Sequence, residues 1–344
     1  MRVLYIGDDH IHSTSFHRAS AMTRLGHEVH FFVPHKYFKS NGICSIIHYR
    51  TGYRLIQSSM LKALKKHFAS FDNFDLIWVN SGEWIGKECL TYLKQKQCPL
   101  VLYVNDDPTG GRDGRRFLTL NKALPIYDLC VVVRQPNVSE FKNLGAKEVL
   151  RVFMSYDEIA HQRLTDPQEM VNKFESDVCF IGTWMRNENR DEFLLKLANA
   201  GIPLSIWGGR WKKSHLWREL KPFYRGGNLY GNDYVSAIMG AKICLGLLSK
   251  GNRDQHTTRS LEVPFAEGLL CAERTIEHSS LYTEGTEAIF WGDAEECILK
   301  CKQLLLDPDL RENIKKQGKL RVLKNRTGNE DVIKQVLIKL NELR

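Results

Sequence analysis

The sequence predicts an α/β protein made of two doubly wound parallel sheets in tandem. Three observations carry that expectation. Short apolar runs rich in β-branched residues alternate with helix-like segments. The runs are apolar on both faces, as strands covered by helices on both sides must be. The alternation also stops in a polar stretch, 157–176, and then starts again.

In the first half the strand segments are 2–7 RVLYIG, 27–33 HEVHFFV, 75–80 DLIWVN, 99–105 PLVLYVN, 128–133 DLCVVV and 149–153 VLRVF. Helix-like segments lie at 13–25, behind a Ser/Thr cap, and at 57–69, 83–96 and 138–144. In the second half strands are expected at 177–182, 203–209, 242–248, 268–273 and 287–292. Helices are expected at 189–200, 233–241, about 258–266, 294–306, 308–324 and 329–343. The halves divide near 155–175, which gives domains of 1–160 and 161–344. The 344 residues are enough for two separate cores.

Hydrophobic residues are 43% and charged residues 26%, the balance of a soluble globular protein. The opening MRVLYIGDD has no secretory h-region, and no apolar run approaches the roughly 18 residues needed to span a bilayer. The nine cysteines sit mostly inside apolar runs and form no C-x-x-C pair, so they read as buried, reduced thiols of a cytoplasmic protein.

The net charge is +9. Residues 1–165 hold 22 Lys+Arg against 15 Asp+Glu, and the remainder holds 27 against 25. A basic first half suggests an anionic partner: a phosphate-bearing acceptor, an acidic membrane surface or nucleic acid. No basic run is interleaved with stacking aromatics, so nucleic acid is not expected. LKALKKHF (61–68) reads as a short amphipathic basic segment suited to peripheral contact with an anionic membrane.

Tandem open sheets place ligands at the carboxyl ends of their strands, in the crevice between domains. The loops after the strands are therefore where chemistry is expected. After the first strand, GDDHIHSTSFHR (7–18) offers a Gly turn, a hydroxyl-rich helix entry and His10, His12 and His17. Their spacing matches no zinc pattern, so metal is not expected, and they read either as contacts to an acceptor or as plain surface histidines. NSGEW (80–84) adds Asn80 and Glu83. YVNDDPTGGRDGRR (103–116) places Asp106 and Asp107 beside an arginine loop with Arg112, Arg115 and Arg116. Adjacent aspartates make a poor metal clamp, but one of them can face a cleft as a base or bind hydroxyls. In the second half, FIGTWMRNENR (180–190) combines Gly182 with Arg186 and Arg190, a plausible phosphate site.

The densest stretch is SKGNRDQHTTRSLEVPFAEGLLCAERTIEH, 249–278. Asp254 lies in a loop and Glu262 eight residues on, upon the following helix. Arg253, Thr258 and Arg259 stand nearby, and Gly268 permits close backbone approach. Arg259 and Glu262, three apart, also suit a local helix ion pair. Carboxylates accept two hydroxyl hydrogen bonds from a sugar or ribose, and arginines grip a diphosphate.

Here the residues resemble the donor site of retaining glycosyltransferases of the GT-B fold, those related to family four and the spore-maturation-type branch. RSLEVPFAEGLLCAERTIEH matches that branch tightly over about 20 residues, and CFIGTW and NDDP extend the likeness to both domains. Asp254 replaces the usual first glutamate of the acid-x7-acid signature.

The resemblance implies a glycosyltransferase with two Rossmann-like domains facing a cleft. The first would bind a glycan, lipid-linked or protein acceptor. The second would bind a nucleotide sugar, with C-terminal helices packing back on the first. Glu262 would hold the ribose and Asp254 would face the donor sugar. Arg186 or Arg190, with Arg253 or Arg259, would neutralise the diphosphate, so neither metal nor cofactor is needed beyond the donor itself. Residues 273–278 and Glu284 would border the pocket. Two other classes stay open on the residues alone: a nucleotide-sugar epimerase or hydrolase, and a non-enzymatic polyanion-binding protein.

Overall fold

The computed structural model describes residues 1–38, 42–68, 73–165 and 168–343; the last residue of the expected 57–69 helix lies outside this set. The chain forms two compact units. The first comprises Met1–Phe153, Gly251–Arg253 and Asn329–Arg344; the second comprises Met154–Lys250 and Asp254–Gly328.

The first unit holds a six-stranded sheet: β1 (Arg2–Ile6), β2 (Glu28–Phe32), β3 (Leu76–Asn80), β4 (Leu100–Val104), β5 (Leu129–Val132) and β6 (Val149–Arg151). Their order is β2-β1-β3-β4-β5-β6, every pair parallel. One face, with Leu4, Ile6, Ile77, Val79, Leu102 and Val104, packs under the helices Gln57–Phe68 and Lys87–Lys94. The helix Thr14–Arg24, capped by Ser13 accepting from the Phe16 N–H, packs against Asn329–Glu342 from far along the chain. That later helix buries Val332, Ile333, Val336 and Leu340.

The second unit holds β7 (Ser176–Ile181), β8 (Leu204–Trp207), β9 (Tyr224–Gly226), β10 (Ala241–Gly246), β11 (Leu270–Glu273) and β12 (Ile289–Trp291), in the order β12-β11-β10-β7-β8-β9 and again all parallel. Numbered within the unit, this is the Rossmann order 3-2-1-4-5-6. The strand order reverses between β1 and β3 in the first unit and between β7 and β10 in the second. Those are the two places where an open sheet leaves a crevice at its carboxyl edge.

All eleven strands expected from sequence are present. The twelfth, β9, is three residues long, and its Tyr-Arg-Gly carries no alternation to detect. The helices Gly42–Arg50, Leu118–Ala123, Gln168–Lys173, Trp217–Leu220 and Ile276–Leu281 are likewise absent from the expected elements. Eight cysteines are buried and Cys44 is exposed. Among the described residues no helix is long and apolar enough to cross a membrane.

The loops after β7 and β8 meet backbone to backbone. Gly208 has φ +136°, and a Cβ there would stand 2.1 Å from the Gly182 carbonyl oxygen. Gly208→Ala should therefore cost about 2 kcal/mol or more, through strain and displacement of the Gly182 turn. Thermal unfolding should shift down by roughly 4–8 °C; an unchanged midpoint would show that the two turns do not depend on this approach.

Candidate functional site

In the second unit the loops at the strand-order reversal carry the expected donor-site residues. Glu262 lies in the short helix Arg259–Phe265, which follows β10. The residue is 5% exposed. The Tyr234 hydroxyl, from the helix Gly231–Met239, donates to Glu262 Oε2 at 2.6 Å. His161 Nε2 lies 3.6 Å from Oε1. Burial, and then the neighbouring carboxylate, push the Tyr234 hydroxyl well above the ordinary tyrosine value, so it stays a donor. Nothing in the sequence ties Tyr234 or His161 to Glu262.

Asp254 is buried, and its Oδ2 lies 3.4 Å from the Ser249 N–H within the loop after β10. Ser249 Oγ and the Lys250 N–H donate to Glu188, which joins this loop to the one after β7. Arg190 makes the same connection: its guanidinium donates to the carbonyls of Thr183 and Leu248 at 2.9 and 3.0 Å. Arg190 is thus buried as a brace across the reversal point. Arg186 is exposed, and among the described residues it forms no ion pair. Arg259 forms none with Glu262, and its Nε is buried without a hydrogen-bond partner. A cavity of about 410 Å³ opens beside these loops, lined by Arg190, Lys250, Glu273 and Trp291 among others.

The glycines serve packing. Gly182 accommodates the Phe180 ring and accepts a hydrogen bond from the Trp211 indole. A Cβ on Gly268 would meet Ile238 at 2.5 Å, so the close approach there is to the helix carrying Tyr234. Thr258 starts the Arg259–Phe265 helix through its carbonyl, which accepts from the Leu261 and Glu262 N–H groups. Ser260 is held by His278. Its hydroxyl lies 2.7 Å from His278 Nε2, and Nδ1 lies 2.6 Å from the Glu273 carbonyl. That carbonyl requires Nδ1 to carry the proton, so Nε2 accepts from Ser260. Glu284 pairs with Arg274, which also holds Glu296.

In the first unit, the charged residues read as acceptor or catalytic candidates, Glu83, Asp106, Asp107 and Arg112, fall into two ion-pair networks. Asp107 is 3% exposed. Arg253 grips it with two bonds of 2.6 and 2.8 Å and also binds Glu140 at 2.7 Å. Asn137 donates to it at 2.8 Å. Burial alone would raise its pKa, but these bonds outweigh burial and hold the carboxyl below the usual carboxylate range. Arg253 and Asp107, expected in separate roles, are therefore partners. Arg116 is the second hub, joined to Glu83 at 2.8 Å, Asp106 at 3.0 Å and Asp113 at 3.3 Å. Arg112 also pairs with Asp113.

Asn80 accepts from the buried Arg18 at 2.6 Å. Asn80 and Glu83 line a 240 Å³ cavity with Gly7, Asp8 and Ser13, at the reversal between β1 and β3. His10 and His12 are exposed, their rings 5.7 Å apart, and His17 bonds the Ile11 carbonyl. Among the described residues these histidines join no cluster of metal-ligand atoms. The two such clusters are Cys271, Cys297 and Cys301 in the core, and Asp8, Asp9 and His35 at the surface.

Two predictions follow from these contacts. Burial holds the His278 pKa down to about 4, below its ordinary 6.5. The unfolded chain then binds the proton more readily, so this contribution to stability is complete above pH 6.5 and is lost as pH falls toward 4. The loss is about 3 kcal/mol across that window, and His278→Gln should flatten it in denaturant titrations at pH 7 and pH 4.5. Arg253→Ala leaves Asp107 and Glu140 without their cation and should destabilise by about 3 kcal/mol. Asp107→Asn in the Arg253→Ala background should recover part of that loss.

Residues 186–337 match the family described as glycosyl transferase-like. No curated protein sequence matches the chain. Among solved structures, sucrose-phosphate synthase of Thermosynechococcus elongatus superposes with a TM-score of 0.72 at 12% identity, covering 100% of both chains. HepE of Anabaena, solved with UDP-glucose, gives 0.68 at 12% identity over 99% of this chain and 100% of its own. The trehalose 6-phosphate synthase of Burkholderia multivorans gives 0.61 at 12% identity over 100% and 98%. Residues 186–337 thus resemble a glycosyl transferase-like family, and the chain as a whole, with its two six-stranded parallel sheets, has the GT-B fold.

Proposed function

We propose that the protein moves a sugar from a nucleotide-activated donor to a hydroxyl of a glycan, lipid-linked or protein acceptor, with retention and without a metal. The observation that carries this reading is the placement of Glu262: a buried carboxylate oriented by Tyr234, on the helix that follows β10 at the reversal of a Rossmann-order sheet. The likeness in fold to HepE, solved with UDP-glucose, supports a nucleoside-diphosphate sugar as donor.

In this reading Glu262 accepts both ribose hydroxyls and Asp254 faces the donor sugar. Arg186 and Arg259, which have no ion-pair partner among the described residues, take the diphosphate. Arg190 holds the loops that carry them. The bond from the sugar C1 to the phosphate oxygen breaks and a bond from C1 to the acceptor oxygen forms. The acceptor proton passes to the departing phosphate, which the arginines stabilise as its charge develops. The first unit takes the acceptor, through the cavity bearing Asn80 and Glu83, the histidines of the β1 loop and Arg112. Of the two adjacent aspartates, Asp106 is the one offered to the acceptor, because Asp107 is closed off by Arg253. The protein works in the cytoplasm, in peripheral contact with an anionic membrane face.

Calorimetry against a panel of nucleotide sugars tests the assignment. Glu262→Ala should weaken the bound donor by about 1.5–3 kcal/mol with the fold intact. Tyr234→Phe should weaken it less, since the carboxylate remains but loses its orienting donor. Unchanged affinity in Glu262→Ala would remove the ribose role. Transfer should survive EDTA; full loss restored by Mn²⁺ would overturn the metal-free reading. Release of free sugar without transfer would favour a hydrolase.

A further inference from the structure

The helix Gly42–Arg50 departs from the pattern of the helices around it. Its sequence, GICSIIHYR, sets Ile43, Ile46 and Ile47 at i, i+3 and i+4, a short aliphatic stripe that ends in Arg50 at i+7 on the same face. In a packed unit such a stripe faces the core. Here none of the helix is buried, and the three isoleucines are 77%, 54% and 46% exposed. Leu55, in the turn that follows, is 58% exposed. The helix Gln57–Phe68 behaves in the opposite way: it buries Met60, Leu64 and Phe68 and leaves Lys62, Lys65 and Lys66 outside. The segment expected from sequence to rest on a membrane has therefore already committed its apolar stripe to the core.

The surroundings of the exposed helix are basic. Arg50 and Arg54 are exposed at its C-terminal end. Gly52 packs against the backbone of Arg115, where a Cβ would lie 2.5 Å from the carbonyl oxygen, so the loop with the exposed Arg112 and Arg115 runs beside it. The nearby acid, Asp113, is paired with Arg112 and Arg116. The imbalance extends to the whole unit. The first unit carries 25 Lys+Arg against 16 Asp+Glu, and the second carries 24 of each, so the entire excess of +9 belongs to the first.

We infer that Gly42–Arg50 docks the first unit on an anionic lipid bilayer. The isoleucines enter the boundary between headgroups and acyl chains, and the arginines meet lipid phosphates. An aliphatic stripe without a central aromatic anchor, ringed by one sign of charge, suits a lipid surface better than the aromatic-centred patch typical of protein partners. A nine-residue helix anchors weakly, so docking is reversible and salt-sensitive. This rests on the peripheral membrane contact of the proposed reading and deepens it by assigning that contact to one helix, which transfer to a soluble acceptor does not need.

Cys44 lies on the helix and is the exposed cysteine of the nine. An environment-sensitive fluorophore on Cys44 of the full chain should shift to the blue and brighten with phosphatidylglycerol vesicles at low salt. It should not respond to phosphatidylcholine vesicles, and the response should reverse in about 0.5 M salt. Ile43→Ser/Ile46→Ser/Ile47→Ser should lower vesicle co-sedimentation at least about tenfold while leaving melting temperature and donor binding unchanged. Lys62→Glu/Lys65→Glu should weaken sedimentation modestly, through charge alone. No fluorescence response, or wild-type sedimentation of the triple variant, overturns the proposal. A concentration-dependent dimer abolished by the triple substitution, without vesicle binding, would instead assign the stripe to a second copy of the chain. Donor binding by calorimetry is read in the same samples, so a failed membrane test and a failed donor assignment give different results.

Discussion

Every strand pair in both sheets is parallel, and that constraint organises everything else. A parallel pair cannot be closed by a tight turn, so each strand must be followed by a crossover that returns the chain to the far edge. All the loops leaving the carboxyl ends of a sheet therefore emerge along one edge. Where the strand order reverses, the crossovers leave to opposite faces and a gap opens between them. In the second unit that gap lies between β7 and β10, and the loops flanking it carry Gly182, Arg186, Arg190 and Asp254, with Glu262 on the helix beyond. The residues came together because of topology, although 80 positions separate Gly182 from Glu262.

The same constraint explains how much of the architecture was legible. A strand buried on both faces must be apolar throughout, and a run such as LVLYV at Leu100–Val104 announces itself without any alternation. What escaped detection lacked that requirement. β9 is an edge strand of Tyr-Arg-Gly, with one neighbour and half-exposed side chains. The helix Gly42–Arg50 is apolar on the outside, so its pattern carried no sign of which face would be covered. At the site the types of residue were readable and their pairings were not. Asp107 and Arg253 each looked free for chemistry, 146 positions apart, yet they form a two-pronged ion pair. Arg259 and Glu262, read as donor-site residues with a helix pair as the alternative, do not pair; Tyr234 donates to the carboxylate instead. Spacing along a chain gives proximity within one element, and buried charges choose partners across elements.

The two units use buried charge differently. In the first, Arg253 and Arg116 each gather several carboxylates, and Arg18 lies beneath Asn80 with its guanidinium 3.7 Å from the Tyr103 ring centre. These cations are surrounded by fixed acceptors, which makes their surroundings rigid and their own charge unavailable. In the second, Glu262 and Arg259 have fewer partners and Arg186 is exposed. A group that must exchange a protein or solvent partner for a ligand has to keep some of its bonding capacity open.

The first unit is also discontinuous, since it needs Asn329–Glu342 laid against the helix Thr14–Arg24. During synthesis its first 153 residues emerge long before that covering helix does. Val332, Ile333, Val336 and Leu340 arrive only after the whole second unit has been made, a delay on the order of ten to thirty seconds at ordinary elongation rates. Through that interval one face of the nascent first unit stays uncovered. The first unit therefore cannot complete its core while it is being made, and its closing segment is the last part of the chain to be delivered.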